Sequence, residues 1–437
     1  MVSLKWIFRG GVPAPHRKNT KDQETAVMGT PSKVVIPMVQ HIGAACSPTV
    51  KKGDYVKVGQ VIGDSEAYVS SPVHSSVSGV VSKVEPMLYA SGKMVMSVEI
   101  ETDGKQELHN SINPPVINGK DDFLKAIRDS GLVGLGGAGF PVHVKLNPPK
   151  DKVVDTLIIN GSECEPYITS DYREMIENSS GIIKGVKLVL DMLGIPRAII
   201  GIEDNKPEAI KLLSQEAESD ERISVRAFPS RYPQGAEKML IYSATGRKVS
   251  PGKLPADVGS IVLNVNSVSF IASYLENGIP LVNKRITVDG PVVKEPKNVL
   301  VTIGTSLKDI FDFCGGFISS PYKVLMGGPM MGIAQYSLAT SVIKNTNAIL
   351  AFDKKEGDLP SESPCIRCGR CVTACPMNLL PLELNRLVMA DKYNELNRYS
   401  VLDCIECGSC SYACPSKRHL VQSIRLGKDA VKRTIKR

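Results

Sequence analysis

The sequence predicts a multidomain α/β protein with a small all-β unit, a parallel-sheet α/β domain, a compact α+β module and a helical cysteine-bearing domain, in that order. Three observations predict it. At 437 residues the chain is too long for a single ordinary core. Its middle alternates apolar strand patterns with amphipathic helix patterns, which is the order of β-α-β crossovers. Near its end it writes almost the same twelve residues twice, "CIRCGRCVTACP" from Cys365 and "CIECGSCSYACP" from Cys404.

The first unit spans residues 1–105. Within it, "PTVKKGDYVKVGQVIGDSEAYVSSPVHSSVSGVVSKVEP" (48–86) alternates short Val-rich runs with polar residues, and Gly53, Gly59, Gly63, Ser71-Pro72 and Gly79 mark turns. The G-D-x-V-x-x-G-Q-x-I arrangement and the later S-x-x-S-G-x-V resemble lipoyl or biotinyl barrel-sandwich domains, and that resemblance implies the fold. Those domains carry a cofactor on a lysine at a hairpin tip. Glu66 to Ser70, the matching stretch, has no lysine, so no swinging arm is expected.

The second unit, 106–280, opens with the Asn/Pro-rich link "HNSINPPVINGKDD". "DDFLKAIRDSG" reads as an amphipathic helix ending at a glycine, and "VVDTLIIN" as a buried strand. A helix over 172–193 follows, then strand "RAIIGI", a helix over 206–219, strand "ISVRAF", a helix from about 235, and strand "SIVLNV" with a helix behind it. This order implies a largely parallel, Rossmann-like sheet, whose ligands sit at the carboxyl ends of the strands. Residues 281–352 alternate strands with one short helix and return to strand at "YKVLMGGP". That module is either functional or a purely structural linker. Residues 353–437 form the cysteine region beyond the polar hinge "DKKEGDLPSESP", and "LLPLELNRLVMADKYNELNRY" between the two motifs reads as helix.

Charge narrows the partners. Of 53 basic and 45 acidic residues, the stretch from Ser416 to Arg437 holds eight Lys or Arg against Asp429 alone, leaving 45 and 44 before it. The net charge of +8 is therefore a property of the tail, which suits anionic lipid, an acidic protein or plain solvation, and nucleic acid is not an expected partner. Val421, Ile424, Leu426, Val431 and Ile435 among its charges suit docking onto a membrane partner. No stretch reaches the roughly 20 apolar residues of a membrane helix. The first twenty residues lack the apolar core of a signal peptide, so a cytoplasmic protein is expected.

Eight of the 11 cysteines fall in the two motifs at C-x2-C-x2-C-x3-C-P spacing, while Cys46, Cys164 and Cys314 are scattered. Clustered thiols in a reducing compartment read as metal ligands, lone ones as small buried apolar residues. The spacing puts three thiolates around one face of a cubane and turns the fourth away. In two-cluster ferredoxins that fourth cysteine ligates the other cluster. Cys365, Cys368 and Cys371 with Cys414 are thus assigned to one 4Fe-4S cluster, and Cys404, Cys407 and Cys410 with Cys375 to the second. Two structural zinc sites are the alternative, which the duplicated Cys-Pro-ended spacing disfavours. The first motif carries Arg367 and Arg370 between its cysteines, where the second has Glu406 at the position of Arg367, so the first cluster is expected at the higher potential if both are equally buried.

Paired one-electron centres call for a two-electron carrier nearby. The candidate is "GLVGLGGAGFPVHVKL" (131–146), where Gly134, Gly136, Gly137 and Gly139 let backbone N–H groups approach a phosphate or a flat ring and Lys145 supplies a point charge. A tight structural turn is the alternative reading of these glycines.

That stretch, with "INGSECEPYITSDYREM", "YPQGAEKMLIYSATGRKV" and "LPADVGSIVLNVNSV" in the same order, resembles the C subunit of Rnf electron-transport complexes (RnfC). More distantly it resembles the flavin- and NADH-binding subunit of respiratory complex I. "FRGGV", "PMVQHIGA" and "VLMGGPMMG" fit the same RnfC pattern. The resemblance implies an FMN- and NADH-binding Rossmann-like domain, a soluble-ligand-binding β-grasp module over 281–352 and a helical two-cluster ferredoxin-like domain. It implies that Gly134, Gly136, Gly137, Gly139 and Lys145 surround the FMN phosphate, and that Asn160, Glu163 and Asn264 contact the flavin. Phe140 would lie near the nicotinamide, and Glu165, Gly235 and Glu237 would line the nucleotide site. Ser162 and Ala236 depart from the complex I pattern, each standing where an acidic residue is expected. The implied function is hydride exchange between NAD(H) and FMN, followed by single-electron transfer through two 4Fe-4S clusters. The electrons would pass to or from integral membrane and ferredoxin-like subunits and ultimately ferredoxin, with the chain peripheral on the cytoplasmic face of the membrane. A soluble NADH-dependent reductase of the cobalamin or selenoprotein type is the alternative enzyme. An iron-sulfur relay without flavin is the non-enzymatic one.

Overall fold

A computed structural model describes residues 7–435, the side chain of Ile435 excepted. The start of the segment read for a signal peptide (1–6), and Lys436 and Arg437 of the basic tail, lie outside the described residues.

The barrel-sandwich arises from the period-2 Val pattern. Its larger sheet places Lys33–Pro37, Met94–Thr102, Gly79–Leu88 and Tyr55–Val56 side by side, and its smaller one Ser47–Pro48, Val61–Asp64 and Val73–His74. Val34, Ile36, Val56, Ile62, Val73, Val81, Val98 and Ile100 from the two inner faces close its core. The lysine-free tip at residues 65–72 packs against the neighbouring domain. The Tyr68 ring stands edge-on to His143 at 6.2 Å, and Arg128 grips Asp64 at 2.7 Å. The place of a swinging arm is taken by a fixed contact.

The α/β domain has four parallel strands in the order Ile223–Phe228, Ala198–Glu203, Thr156–Gly161, Ser260–Asn264. Helices cover both faces, as fully apolar strands require. Residues Leu157, Ile159, Ile200 and Ile202 meet the helices Ser179–Leu193, Pro207–Ala217 and Val265–Asn277 on one face. Ile158, Ile199 and Val262 meet the helix Glu237–Thr245 on the other. The helix expected over 172–193 is two, Ser170–Glu177 and Ser179–Leu193, because Asn178 leaves helical geometry at φ −142°.

The next module is a six-stranded mixed sheet ordered Ala26–Val27, Lys297–Thr302, Asn283–Asp289, Ala348–Phe352, Lys323–Met326, Ile333–Gln335, packed on the helix Leu307–Phe313. Its edge strand Ala26–Val27 comes from far earlier in the chain and pairs in parallel with Lys297–Thr302. Residues 7–30 are a strap outside the barrel: Gly11 N donates to Ala374 O, Val12 bridges to Tyr232, and Thr20 meets Thr169.

The cysteine domain repeats one unit. Each motif turns at a left-handed residue, Arg367 (φ 54°) or Glu406 (φ 58°), then enters a five-residue helix, Arg370–Ala374 or Ser409–Ala413. Between them the expected single helix is shorter, Pro381–Met389, followed by a 3-10 stretch Tyr393–Tyr399, because Asp391 adopts φ 54°. The tail is a helix, Leu420–Ile435. Its Val421, Ile424 and Val431 are buried, Ile424 and Val431 against Leu384, Leu387 and Leu396. These side chains complete the domain core, so they are not free to dock on a membrane; of the expected set, Leu426 alone is exposed among the described side chains.

Candidate functional site

Successive strands of the α/β sheet are added in one direction from Thr156–Gly161 and then, with Ser260–Asn264, on its other side, so these two strands flank a switch point. Their last pair, Asn160 opposite Asn264, opens the crevice there. Asn160 Nδ2 donates to the Gly235 carbonyl at 2.9 Å and its Oδ1 accepts from Ser162 N. Asn264 caps the helix Val265–Asn277 through its Oδ1, accepting from Asn266 N at 2.9 Å, and its Nδ2 donates to Asp171 at 2.7 Å.

The Gly-rich loop lies over this crevice. A Cβ on Gly136 would overlap Asn264, and Gly139 has φ 70°, so neither position takes a side chain without strain. Two of the loop's carbonyls meet other segments and a third closes the loop on itself. Gly137 O accepts from Asn345 Nδ2, Gly139 O from Ile42 N and Phe140 O from Gly134 N. Residues 135–138 form a turn, and among the described residues no other segment takes up the N–H groups of Gly136, Gly137, Ala138, Gly139 and Phe140. A row of donors unclaimed by the rest of the fold fits an anion such as a phosphate. Lys145, on the short helix after the loop, pairs with Glu237 at 2.7 Å and reaches Val262 O. Phe140 is half-buried beside the loop.

Beneath the crevice lies a layer of buried charge. Glu163 (φ 46°) turns its carboxylate to the start of the helix Ser170–Glu177, accepting from Asp171 N at 2.6 Å and Tyr172 N at 3.2 Å. Burial pushes its carboxyl up to about 7, against the pull of Lys18. Glu165 Oε2 accepts from Met330 N at 3.0 Å while its Oε1 is buried without a partner, and burial raises this carboxyl to about 7 as well. Such an orphaned acceptor is costly unless a ligand donor meets it. Lys18 straps the segment by donating to the carbonyls of Glu163, Glu165 and Ile168, and Lys206 donates to Ser162 O at 2.7 Å.

The cysteines ring two cavities. One, of about 340 Å³, is lined by Cys375, Cys404, Cys407 and Cys410 with Ile405, Val421 and Ile424. The other, of about 420 Å³, is lined by Cys365, Cys368, Cys371 and Cys414 with Arg367, Asn385 and Arg418. Each cavity is lined by the first three cysteines of one motif and the last cysteine of the other. Among the described residues no three His, Cys, Asp or Glu are arranged to hold a metal ion. Four cysteines around each cavity suit a cubane, which takes four thiolates, one on each iron. Burial raises the Cys410 thiol, and its neighbours Cys407, Cys404 and Cys375 raise it further. Four crowded sulfurs are stable as thiolates chiefly when a metal centre takes up their charge.

The two cavities differ. The 340 Å³ cavity lies toward the crevice: Tyr232 OH donates to Cys407 O at 2.7 Å, and Tyr232 lies three residues before Gly235, whose carbonyl meets Asn160. The 420 Å³ cavity opens at the exposed Cys365 and Cys368. Glu406 beside the inner cavity does not stand alone, because Arg425 pairs with it at 3.0 Å and Lys428, which also bonds to Cys404 O at 2.7 Å, pairs with it too. The simple charge contrast with Arg367 therefore disappears; the contrast left is between an apolar inner cavity and a polar, exposed outer one.

Sequence reasoning missed Lys18, Asp171, Lys206, Tyr232, Asn345 and Lys428. Each is an ordinary polar residue that belongs to no glycine or cysteine spacing, and only folding brings it in. In the sequence Lys428 reads merely as tail charge.

A loop with free N–H donors at a switch point, next to twin four-cysteine rings, defines a flavin and iron-sulfur electron-transfer protein. Residues 127–273 match the family model of the Nuo51 FMN-binding domain, 6–105 the RnfC barrel sandwich hybrid domain, 285–334 the SLBB domain and 359–415 the 4Fe-4S dicluster domain. Over 424 residues the chain is 49% identical to the C subunit of the proton-translocating ferredoxin:NAD(+) oxidoreductase complex of Clostridium ljungdahlii, covering 96% of this chain and 92% of that one. It is 44% identical over 425 residues to the C subunit of the Na(+)-translocating ferredoxin:NAD(+) oxidoreductase complex of Acetobacterium woodii, covering 96% of each. The air-oxidized NAD+-reducing [NiFe]-hydrogenase shares the fold at TM-score 0.50 and 19% identity, over 71% of this chain and 62% of that chain. The chain belongs to the RnfC family, the C subunits of ion-translocating ferredoxin:NAD(+) oxidoreductase complexes.

Proposed function

We propose that this chain exchanges electrons between NAD(H) and the membrane and ferredoxin-like subunits of its complex, lying peripherally on the cytoplasmic face of the membrane. Bound FMN would supply the conversion between a two-electron and a one-electron carrier, and two 4Fe-4S clusters would supply one-electron centres. The observation that carries the reading is the Gly-rich loop, where Gly137 and Gly139 give their carbonyls to neighbouring segments while no other segment takes up the N–H groups from Gly136 to Phe140.

The N–H groups from Gly136 to Phe140 would bind the FMN phosphate, and Lys145 would add positive charge. Asn160 and Asn264 would orient the flavin from the two strand ends. Glu163 would act indirectly, by holding the start of the helix that carries Asp171, the partner of Asn264. Gly235 would leave room for the nicotinamide nucleotide, bounded by Phe140, with Glu237 and the unpartnered oxygen of Glu165 accepting its hydroxyl protons. Cys365, Cys368, Cys371 and Cys414 would hold one cluster, and Cys404, Cys407, Cys410 and Cys375 the other. Tyr232 would fix the inner ring to the nucleotide crevice. No helix among the described residues is long and apolar enough to cross a membrane, which supports a peripheral position. The two relatives are named as members of a complex, which favours this reading over a soluble cobalamin or selenoprotein reductase.

The test is anaerobic purification of the whole chain, followed by FMN titration, iron analysis and NADH addition. About eight iron atoms per chain, one FMN and NADH-dependent bleaching are expected. A chain loaded with FMN and iron that NADH does not bleach would sink the proposal.

A further inference from the structure

The Gly-rich loop belongs to the α/β domain, but the groups that hold it come from both neighbouring modules. At its root, Gly131 O accepts from Lys344 Nζ at 2.7 Å, and the same ammonium donates to Pro72 O at 2.6 Å. Lys344 comes from the β-grasp module and Pro72 from the barrel, so one side chain joins three modules. It is 1% exposed, and a buried amine is costly unless its donors are met, so the junction is held to this geometry. At the loop's crest the next residue, Asn345, donates its Nδ2 to Gly137 O at 3.1 Å. The same amide lies where a Cβ on Gly139 would meet it at 3.1 Å. Lys344 and Asn345 are themselves set by a tight turn, Thr346 N to Ile343 O at 3.0 Å and Ile343 N to Thr346 Oγ1 at 3.1 Å, and by Gln40, which accepts from Lys344 N.

We propose that Lys344 and Asn345 are positioning residues for the anion-binding loop, fixing its root and crest so that the β-grasp module sets the affinity of the neighbouring domain for FMN. The proposal rests on the flavin reading of the loop given above and adds what shapes it. A glycine-rich turn has the most backbone freedom to lose, and a phosphate that must order it binds weakly. Capturing carbonyls on the outer side orders the turn in advance and leaves the N–H groups free, which is preorganisation.

The experiment titrates FMN into the full-length, cluster-reconstituted chain and follows quenching of flavin fluorescence. Asn345→Ala and Asn345→Asp both weaken FMN binding, by about five- to tenfold, the loss of one hydrogen bond. Asp keeps the size and loses the donor, so the pair separates shape from bonding. Asn345→Gln, which retains an amide donor, recovers most of the affinity. Lys344→Met gives a similar weakening with a lowered thermal midpoint, while Ser337→Ala in the same module leaves binding unchanged. Asn345→Ala and Asn345→Asp that fold, carry normal iron and bind FMN within twofold of wild type would overturn the proposal. If the wild-type chain takes up no FMN, or Gly136→Val binds it normally, the flavin reading of the loop fails instead.

Discussion

At the scale of single residues, the buried charges carry the testable chemistry. Lys428 and Arg425 offset Glu406 beside the inner cavity. Lys428→Met leaves Glu406 paired with Arg425 alone and removes one positive charge from beside the apolar inner cavity, where added negative charge is then less well met. The inner cluster's midpoint is expected to fall by about 50 mV, near the 59 mV that corresponds to tenfold in a one-electron equilibrium. EPR-monitored redox titration reads this, and an unchanged midpoint would show that the Lys428 charge does not act on the cluster. Lys344 makes a second prediction. Burial depresses its ammonium from the ordinary lysine value to about 7. Between about pH 7 and 10.4 the unfolded chain therefore holds a proton that the folded chain has released. The contribution of this group to stability grows as pH rises through that window and is at its lowest below pH 7. The unfolding free energy of wild type should climb relative to Lys344→Met between pH 7 and 9.5, with a slope of up to about 1.4 kcal/mol per pH unit, and denaturant unfolding at a series of pH values measures it. Lys284, depressed to about 8, acts in the same direction in both proteins, so the difference isolates Lys344.

At the scale of elements, local pattern is a sound guide wherever one segment decides its own form. "ISVRAF" is the strand Ile223–Phe228 to the residue, and the short apolar runs "RAIIGI" and "SIVLNV" became parallel strands because helices cover both their faces. Pattern fails where a single residue breaks a run, as Asn178 and Asp391 do, since apolar spacing continues across the break. One close approach gives a sharp test. Gly185 lets the helix Ser179–Leu193 lie against the helix Val265–Asn277, and a Cβ there would overlap the Val268 carbonyl. Gly185→Ala is expected to cost about 1–3 kcal/mol by overpacking, despite alanine's better helix propensity. Thermal unfolding measures it, and a stabilised variant would mean that the helices separate freely. Because Asn264 caps the displaced helix, FMN affinity should fall together with stability.

At the scale of the whole molecule, the cysteine rings join the two motifs of one domain, and the N-terminal strap joins domains. If the cysteine rings are crossed as the cavities indicate, Cys414→Ser removes the cluster of the first motif and Cys375→Ser that of the second. Each variant should lose about half its iron, and EPR should show the surviving cluster to be the one whose own motif carries the substitution. The strap depends on Lys18, whose ammonium gathers three carbonyls of the 163–168 segment. Lys18→Met leaves those carbonyls unmet at a buried junction, with an expected cost of about 3 kcal/mol or more and faster proteolysis of residues 7–30, which limited digestion would detect. By itself the sequence determined the order of modules, the cysteine motifs and the glycine loop. Their signals are short-range: strand and helix periods, turn glycines and fixed ligand spacings act within a few residues. Tertiary structure alone decided that the N-terminal segment supplies a sheet edge to a module some 270 residues later. It also decided that the tail's apolar face closes the cluster domain, and that Lys344, Asn345 and Ile42 hold the loop from outside. Those contacts join polar side chains and main-chain groups across domains, and such pairing leaves no periodic trace in either partner.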